Sequence, residues 1–380
     1  DLHRVDRRQR QMCIRDRTIT IITLQNVRNY GSVLQALATQ KIFESLGCEV
    51  GFFNYLRSNN ATPWVRIKNW TNKKPLLTKV LIGALLYPTF VLQDRRFKKF
   101  LNKHLNVQEK VCTTMADFEE LELTSDIYCT GSDQTWNSGW NGGILPELFL
   151  AFVPEHIKKI AYSASFGKSK LDTWEKEETC KLLARYQAVS VRESTGVDIC
   201  SELGCDATHV LDPTLQLDRT FWSSYAGCRP LEYGYVLIYQ LNTNKSFDRF
   251  AKEFAHRKGL RLVRFCTRID QILKNGKSLV VPEVQDFVRY IFHADYVITD
   301  SFHATAFSIN VNTQFISIYP NDYSSRLGSI LKLVGLEDRH LLSYDDFSLV
   351  EAPAIDFSYA NKILDEERAK GLDFLRRAIE

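Results

Sequence analysis

The pattern that most constrains this chain is the alternation of short β-branched runs with helical segments. Residues 18–24, TITIITL, read as a strand that ends in the polar loop QNVRNYGS. SVLQALATQKIFESLG then sets Val33, Leu34, Leu37, Ile42 and Phe43 at the spacing of an amphipathic helix, and Gly47 stops it. EVGFFNY follows as a second strand. A strand, a crossover helix and a strand favour parallel pairing, because parallel neighbours need a long connection between them. The rhythm returns with DIYCT, KKIAYSASFG, AVSVRES and HVLDPTLQL. After a linker near 216–233 it starts again with YGYVLIYQL, a helix over 246–258, LRLVRFC, a helix in VPEVQDFVRYIFHA, DYVIT, a helix after His303, and TQFISIY. The fold class expected is α/β, as two parallel domains facing a cleft.

The chain of 380 residues is long enough for two cores. We divide it into a leader (1–17) expected to be non-native or disordered, a first domain (18–218) and a second (219–380), whose last helix could pack back on the first. Lys and Arg number 49 against 45 Asp and Glu, but the leader alone carries six Arg against three Asp. The rest is close to neutral, so no nucleic-acid partner is expected. The leader lacks the apolar core and cleavage pattern of a secretory signal. Nine cysteines are dispersed without CxxC or zinc spacing, which implies reduced thiols, a cytoplasmic location and no metal.

Residues of about 60–106 break the rhythm and read as a helical insertion in the first domain. Their apolar run KVLIGALLYPTFVLQ holds Pro88 and falls short of the ~18 to 20 uninterrupted apolar residues of a membrane span. Lys73, Lys74 and Lys79 lie before or at its start, and Arg95, Arg96, Lys98 and Lys99 after it. Two readings stand: a packed insertion, or a stripe in peripheral contact with the inner membrane face.

Ligands of open parallel sheets bind beyond the carboxyl ends of the strands, and four such ends are unusually polar. In TDSFHAT, Asp300 or Ser301 is a candidate N-cap and His303 falls in the first helical turn. Free N–H groups there attract phosphate or carboxylate. The helix dipole disfavours imidazolium while a bound anion favours it, which suits a group that exchanges protons. A histidine bonded to a backbone carbonyl fits the same position. In GSDQTWN, Gly131 is expected to permit a tight turn, and Ser132, Asp133 and Gln134 to form a polar edge. Trp136 and Trp140 offer faces for a sugar ring, or Trp136 sits in the core. Arg192, after the strand AVSV, is a candidate fork for an anion or the partner of an acid such as Glu193. Arg326 opens a later helix as a second anion holder, and Asn29 and Tyr30 begin the first helix without the GxGxxG of a dinucleotide site.

Taken in order, NYGSVLQA, GSDQTWN, SASFG, VSVRES, VLDPTL and ITDSFHATAFSI resemble the polysaccharide pyruvyl transferase family. The resemblance spans roughly residues 18–340. It implies two Rossmann-like domains around a cleft, similar to GT-B glycosyltransferases, and transfer of the enolpyruvyl carbons of phosphoenolpyruvate onto two hydroxyls of a sugar. The acceptor would be a sugar or lipid-linked oligosaccharide of a capsule, exopolysaccharide or cell-wall polymer, and no cofactor is implied beyond phosphoenolpyruvate as donor substrate. The family histidine falls on His303 and its strand-end arginine on Arg192. Some relatives carry arginine where this chain has Ser301, which leaves the phosphate to other groups, Arg326 first. Ala304 replaces the usual glycine. On this reading His303 is the acid–base group, Asp133 a base or acceptor-orienting group, and Arg192 and Arg326 hold the donor.

Two other functions share the fold. A nucleotide-sugar glycosyltransferase would want a carboxylate pair in the second domain, and residues 281–325 offer no obvious pair. A non-catalytic glycan-binding protein would have no need of His303, Arg192 and Asp133 together.

Overall fold

The computed structural model describes residues 17–57, 62–72, 75–319 and 325–380. The expected leader up to residue 16, together with Lys73 and Lys74, lies outside the described residues. The described residues form two compact α/β units, those within 17–57, 100–217 and 365–380 making one, those within 62–99 and 218–364 the other.

The first unit is built on seven strands: β1 (Thr18–Ile22), β2 (Glu49–Tyr55), β3 (Val107–Cys112), β4 (Ile127–Thr130), β5 (Lys158–Ala164), β6 (Ala188–Val191) and β7 (Thr208–His209). They lie in the order β3-β2-β1-β4-β5-β6-β7, and every pairing is parallel. The second unit has five: β8 (Tyr235–Tyr239), β9 (Arg261–Cys266), β10 (Lys277–Val280), β11 (Tyr296–Thr299) and β12 (Gln314–Ser317), in the order β10-β9-β8-β11-β12, again all parallel. Both orders reverse direction once, between β1 and β4 and between β8 and β11, which is the Rossmann-like plan. Central strands are fully buried, as YVLIY of β8 illustrates, because helices cover both faces of a parallel sheet. The edge strands β3 and β10 escaped the sequence reading. VQEKVC buries only Cys112, and KSLV buries none of its four residues, so neither carries a core pattern.

Helix α1 (Tyr30–Ser45) departs from the amphipathic expectation. Thirteen of its residues are buried, including Gln35 and Thr39. Gln35 Nε2 donates to Thr23 Oγ1 at 3.0 Å and Thr39 Oγ1 to the Gln35 carbonyl at 2.8 Å, so these two donors on the covered face are satisfied internally.

Helices α2 (Pro63–Thr71) and α3 (Leu76–His104) fill the segment expected as an insertion in the first domain. The described residues within 62–99 instead cluster with the second unit. The reason is the packed face of α3. Leu86 and Phe90 form a small core with Ile67, flanked by Ile82 and Ile269. Gln93 Nε2 donates to the Thr267 carbonyl at 3.1 Å, and Arg96 donates to the carbonyl of Val281. α3 runs through Pro88 without a break, although an interior proline costs a helix about 3 kcal/mol. By length and composition it is also able to cross a membrane: it has 29 residues, and an 18-residue window within it has a mean hydropathy of 1.6. The uninterrupted apolar run alone is shorter than a span, whereas the whole helix is not.

Candidate functional site

Each sheet presents its polar groups at its own reversal point, the position where crossover helices leave for opposite faces and open a crevice. In the first unit that point lies between β1 and β4. Asn29 caps α1, its side chain accepting from the Gly31 N–H at 2.9 Å. Three residues after Asn29, Ser32 Oγ donates to Asp133 Oδ2 and so ties the first turn of α1 to the loop after β4. Thr23 Oγ1 donates to the Ser132 carbonyl at 2.6 Å.

Gly131 serves packing rather than a turn. It is absent from the left-handed region, and a Cβ there would lie 3.0 Å from Ile21 Cγ2 and 3.1 Å from Thr23 Cβ. The turn is made two residues later by Asp133, with φ 78°. Aspartate tolerates this conformation better than most residues, yet it still stores strain of roughly 1 kcal/mol. The Gln134 N–H donates to Asp133 Oδ1 at 2.9 Å, and Arg192 adds a longer contact at 3.4 Å.

Arg192 is not at an open edge. Its side chain is completely buried, and its fork reaches Asp212 at 2.8 Å, Glu193 at 3.2 Å and Asp133 at 3.4 Å. Burial disfavours its charge, but Glu193, Asp212 and Asp133 outweigh burial and hold its pKa above the ordinary arginine value. Asp212 also accepts from Ser132 Oγ at 3.2 Å and from the Thr214 hydroxyl at 2.7 Å, and Glu193 accepts from Ser165 Oγ. Among the three carboxylates Asp133 is the most accessible, with 9% of its side chain exposed against 3% for Glu193 and none for Asp212. It is the member of the cluster that can meet a ligand. Gln134, next to it in sequence, and Asn29, at the start of α1, are half-buried, whereas Tyr30 and Ser132 are fully covered. Trp136 is a core residue stacked on Phe149 at 5.1 Å, so it is no sugar platform, and Arg57 lies over one face of the half-buried Trp140 ring at 4.2 Å.

Ser32 and Asp212 join the cluster although neither stands out in the sequence as a functional residue. A detectable signal was present: VLDPTL places an aspartate directly before the Pro213–Gln216 turn of helix, and its side chain caps that helix while binding Arg192.

In the second unit the reversal point lies between β8 and β11. Asp300 follows β11 directly, and its carboxylate accepts the N–H groups of Leu241 at 2.7 Å and Asn242 at 2.8 Å, both in the loop after β8. Burial pushes its pKa up, opposed by these two N–H bonds and by the Asn242 side chain. Ser301 is the N-cap of helix α4 (Phe302–Val311), accepting from the Ala304 N–H at 3.4 Å. All ten residues of α4 are buried, including His303 in the first turn at 6% exposure. The Phe302 ring meets the His303 ring edge-on at 5.3 Å, and the Arg326 guanidinium of helix α5 (Ser325–Leu333) lies 5.6 Å from the centre of the same ring. The structure thus brings Ser301, His303 and Arg326 into one neighbourhood, and Asn29, Ser132, Asp133, Gln134 and Arg192 into another. Chemically, the former offers an imidazole and a guanidinium at a helix N-terminus, where phosphate and carboxylate are favoured. The latter offers a carboxylate held rigidly from behind.

The fold agrees with solved structures of low sequence similarity. A protein from Listeria monocytogenes assigned as a UDP-N-acetylglucosamine 2-epimerase aligns at 10% identity over 94% of this chain and 90% of its own, with a TM-score of 0.50. The UDP-N-acetylglucosamine 2-epimerase of Methanocaldococcus jannaschii aligns at 9% identity over 94% and 92%, also with a TM-score of 0.50. At such identities these likenesses establish the fold alone, two Rossmann-like domains of the kind found in GT-B glycosyltransferases and epimerases. No curated protein matches the sequence. The family comparison is decisive: the family model described as polysaccharide pyruvyl transferase matches residues 29–322, a stretch that begins at the cap of α1 and includes Asp133, Arg192, Asp212 and His303. The chain belongs to the polysaccharide pyruvyl transferase family.

Proposed function

We propose that this transferase takes its pyruvyl group from phosphoenolpyruvate and closes it as a cyclic ketal on two hydroxyls of a sugar. The observation that carries the reading is His303 in the first turn of a buried helix at the β8/β11 reversal point, with Arg326 across the Phe302 ring. The reaction needs an acid for carbon, a base for hydroxyls and cations for two anionic groups. His303 protonates the methylene carbon and leaves an oxocarbenium-like centre at C2. A sugar hydroxyl adds there and gives up its proton, and the C2–O bond to phosphate breaks. The second hydroxyl closes the ring and gives up its proton in turn. One hydroxyl proton is thereby balanced by the new methyl group and the other leaves with hydrogen phosphate.

Arg326 and the first turn of α4 bind the donor's phosphate. Ser301 acts as the cap that fixes this turn. Asp133 orients the acceptor hydroxyls or takes a proton from them, while Arg192 works through Asp133 as a positioning residue because its own fork is already engaged. Gln134 and Asn29 flank the acceptor. The acceptor is a sugar or lipid-linked oligosaccharide, and the reaction runs in the cytoplasm, a reading supported by the eight free thiols among the described residues.

The test is phosphate release from phosphoenolpyruvate in the presence of methyl glycosides that carry free 4,6- or vicinal diols. Release that His303→Ala abolishes supports the mechanism. Consumption of a uridine diphosphate sugar, with phosphoenolpyruvate untouched, would replace it with glycosyl transfer.

A further inference from the structure

Helix α3 leaves one whole side bare. Leu76, Leu77, Val80, Leu81 and Leu85, together with Trp64 of α2, are each more than half exposed. At 100° per residue these α3 positions share one half of the helix surface with Ala84, Pro88 and Val91, and all three of those are exposed as well. Trp64 stacks beside Tyr87 at 4.9 Å and widens the patch. Monomeric soluble proteins seldom leave contiguous apolar surface of more than about 300 to 600 Å² uncovered. Beyond Val91 the same half of the helix turns basic, with Arg95 and Lys98 exposed one and two turns further on.

The surrounding charge is mostly positive, although Glu283 lies 3.6 Å from Lys99 and 3.9 Å from Arg96. Residues 62–103 contain ten Lys or Arg and one acid, Asp94, which is held by Arg66 at 2.7 Å. We propose that this face of α3 docks on an anionic lipid bilayer surface and lies in the plane of the headgroups. The opposite face argues for lying flat: Leu86, Phe90 and Phe97 are buried, and Gln93 and Arg96 are bonded to carbonyls of the second unit. A crossing helix would have to carry those bonds into hydrocarbon or break them. Leucines flanked by tryptophan, tyrosine and cations are the composition of an interfacial helix. A second copy of the same face is a poor occupant, since two-fold pairing would set basic rim against basic rim. The inference does not depend on the identity of the pyruvyl donor.

Sedimentation of the full chain with vesicles tests it without any substrate. Vesicles of phosphatidylglycerol and phosphatidylcholine are expected to bind the protein, and pure phosphatidylcholine to bind it far less. Replacing Leu77, Leu81 and Leu85 by Ser touches only exposed side chains and is expected to lower partitioning by on the order of 100-fold. The pair Arg95→Glu and Lys98→Glu is expected to lower it by roughly 30-fold at low salt, and by less at high salt. Circular dichroism of each variant reports folding separately. Failure of the native chain to sediment with anionic vesicles overturns the proposal. So does a dimer in analytical ultracentrifugation that the Leu→Ser variant dissociates, which would make the face an interface between copies.

Discussion

Replacing Arg192 by Met removes the guanidinium that contacts Asp133, Glu193 and Asp212 while keeping most of the side-chain volume. The guanidinium is fully buried and contacts all three carboxylates within 3.4 Å. Breaking a buried pair by removing one partner costs about 3 to 5 kcal/mol, because the other charge stays buried without compensation. Here the cost concentrates on Asp212, whose side chain has no exposure through which water could replace the arginine. Arg192→Met is therefore expected to destabilise the first unit by about 3 to 5 kcal/mol, and adding Asp212→Asn to recover roughly 1 to 3 kcal/mol by removing the stranded charge. Arg192→Lys keeps the charge but lacks the fork, so it should fall between the native chain and Arg192→Met. Because the chain has two units, one denaturation midpoint would mix two transitions. Amide hydrogen exchange in β4 and β6 isolates the relevant one. Unchanged protection there in Arg192→Met, or no recovery in the double variant, would refute the claim that this network is ionised and holds the first unit together.

Three further outcomes follow from the two reversal points. Asp133→Asn preserves the shape and tolerates φ 78°, so it should fold normally yet lose on the order of 100-fold or more in phosphate release if the carboxylate handles acceptor protons; full activity would remove Asp133 from the chemistry. Gly131→Ala forces a Cβ to 3.0 Å from Ile21 Cγ2, and thermal denaturation should show a loss of about 1 to 3 kcal/mol, whereas a neutral result would mean that β1 and β4 part easily. The folded pKa of Asp300 is raised above 3.8 by burial, so between its folded value and 3.8 the native state holds the extra proton and the charged form is penalised above that window. The stability of the native chain relative to Asp300→Asn should therefore rise as pH falls toward 3.8; a difference that falls instead would mean that the N–H bonds of Leu241 and Asn242 outweigh burial.

The alternation of strand and helix made the α/β class legible, and the positions of Asp133 and His303 followed from polar residues after buried strands. Other features were not legible because they depend on contacts distant in sequence. VQEKVC carries no apolar alternation, so only its pairing with β2 defines β3. The assignment of α3 to the second unit rests on Gln93 reaching Thr267 and Arg96 reaching Val281, more than 170 residues away. In sequence Arg192 reads either as an anion fork or as the partner of an acid such as Glu193; the ion pair holds, and the carboxylate bound most closely, Asp212, lies 20 positions later behind a capping motif. Trp136 read equally well as sugar platform or core, and the stacking on Phe149 decided for the core.

The most direct test of the donor site is hydrogen exchange of the whole chain with and without phosphoenolpyruvate, read beside a thermal shift. Ligand at 100 times its Kd should stabilise the protein by about 2.7 kcal/mol. The account predicts new protection in the first turn of α4, around His303, and at the start of α5, around Arg326, both diminished in Arg326→Met. A chain that phosphoenolpyruvate neither stabilises nor protects at these two helix starts, and that a uridine diphosphate sugar does stabilise, would contradict it.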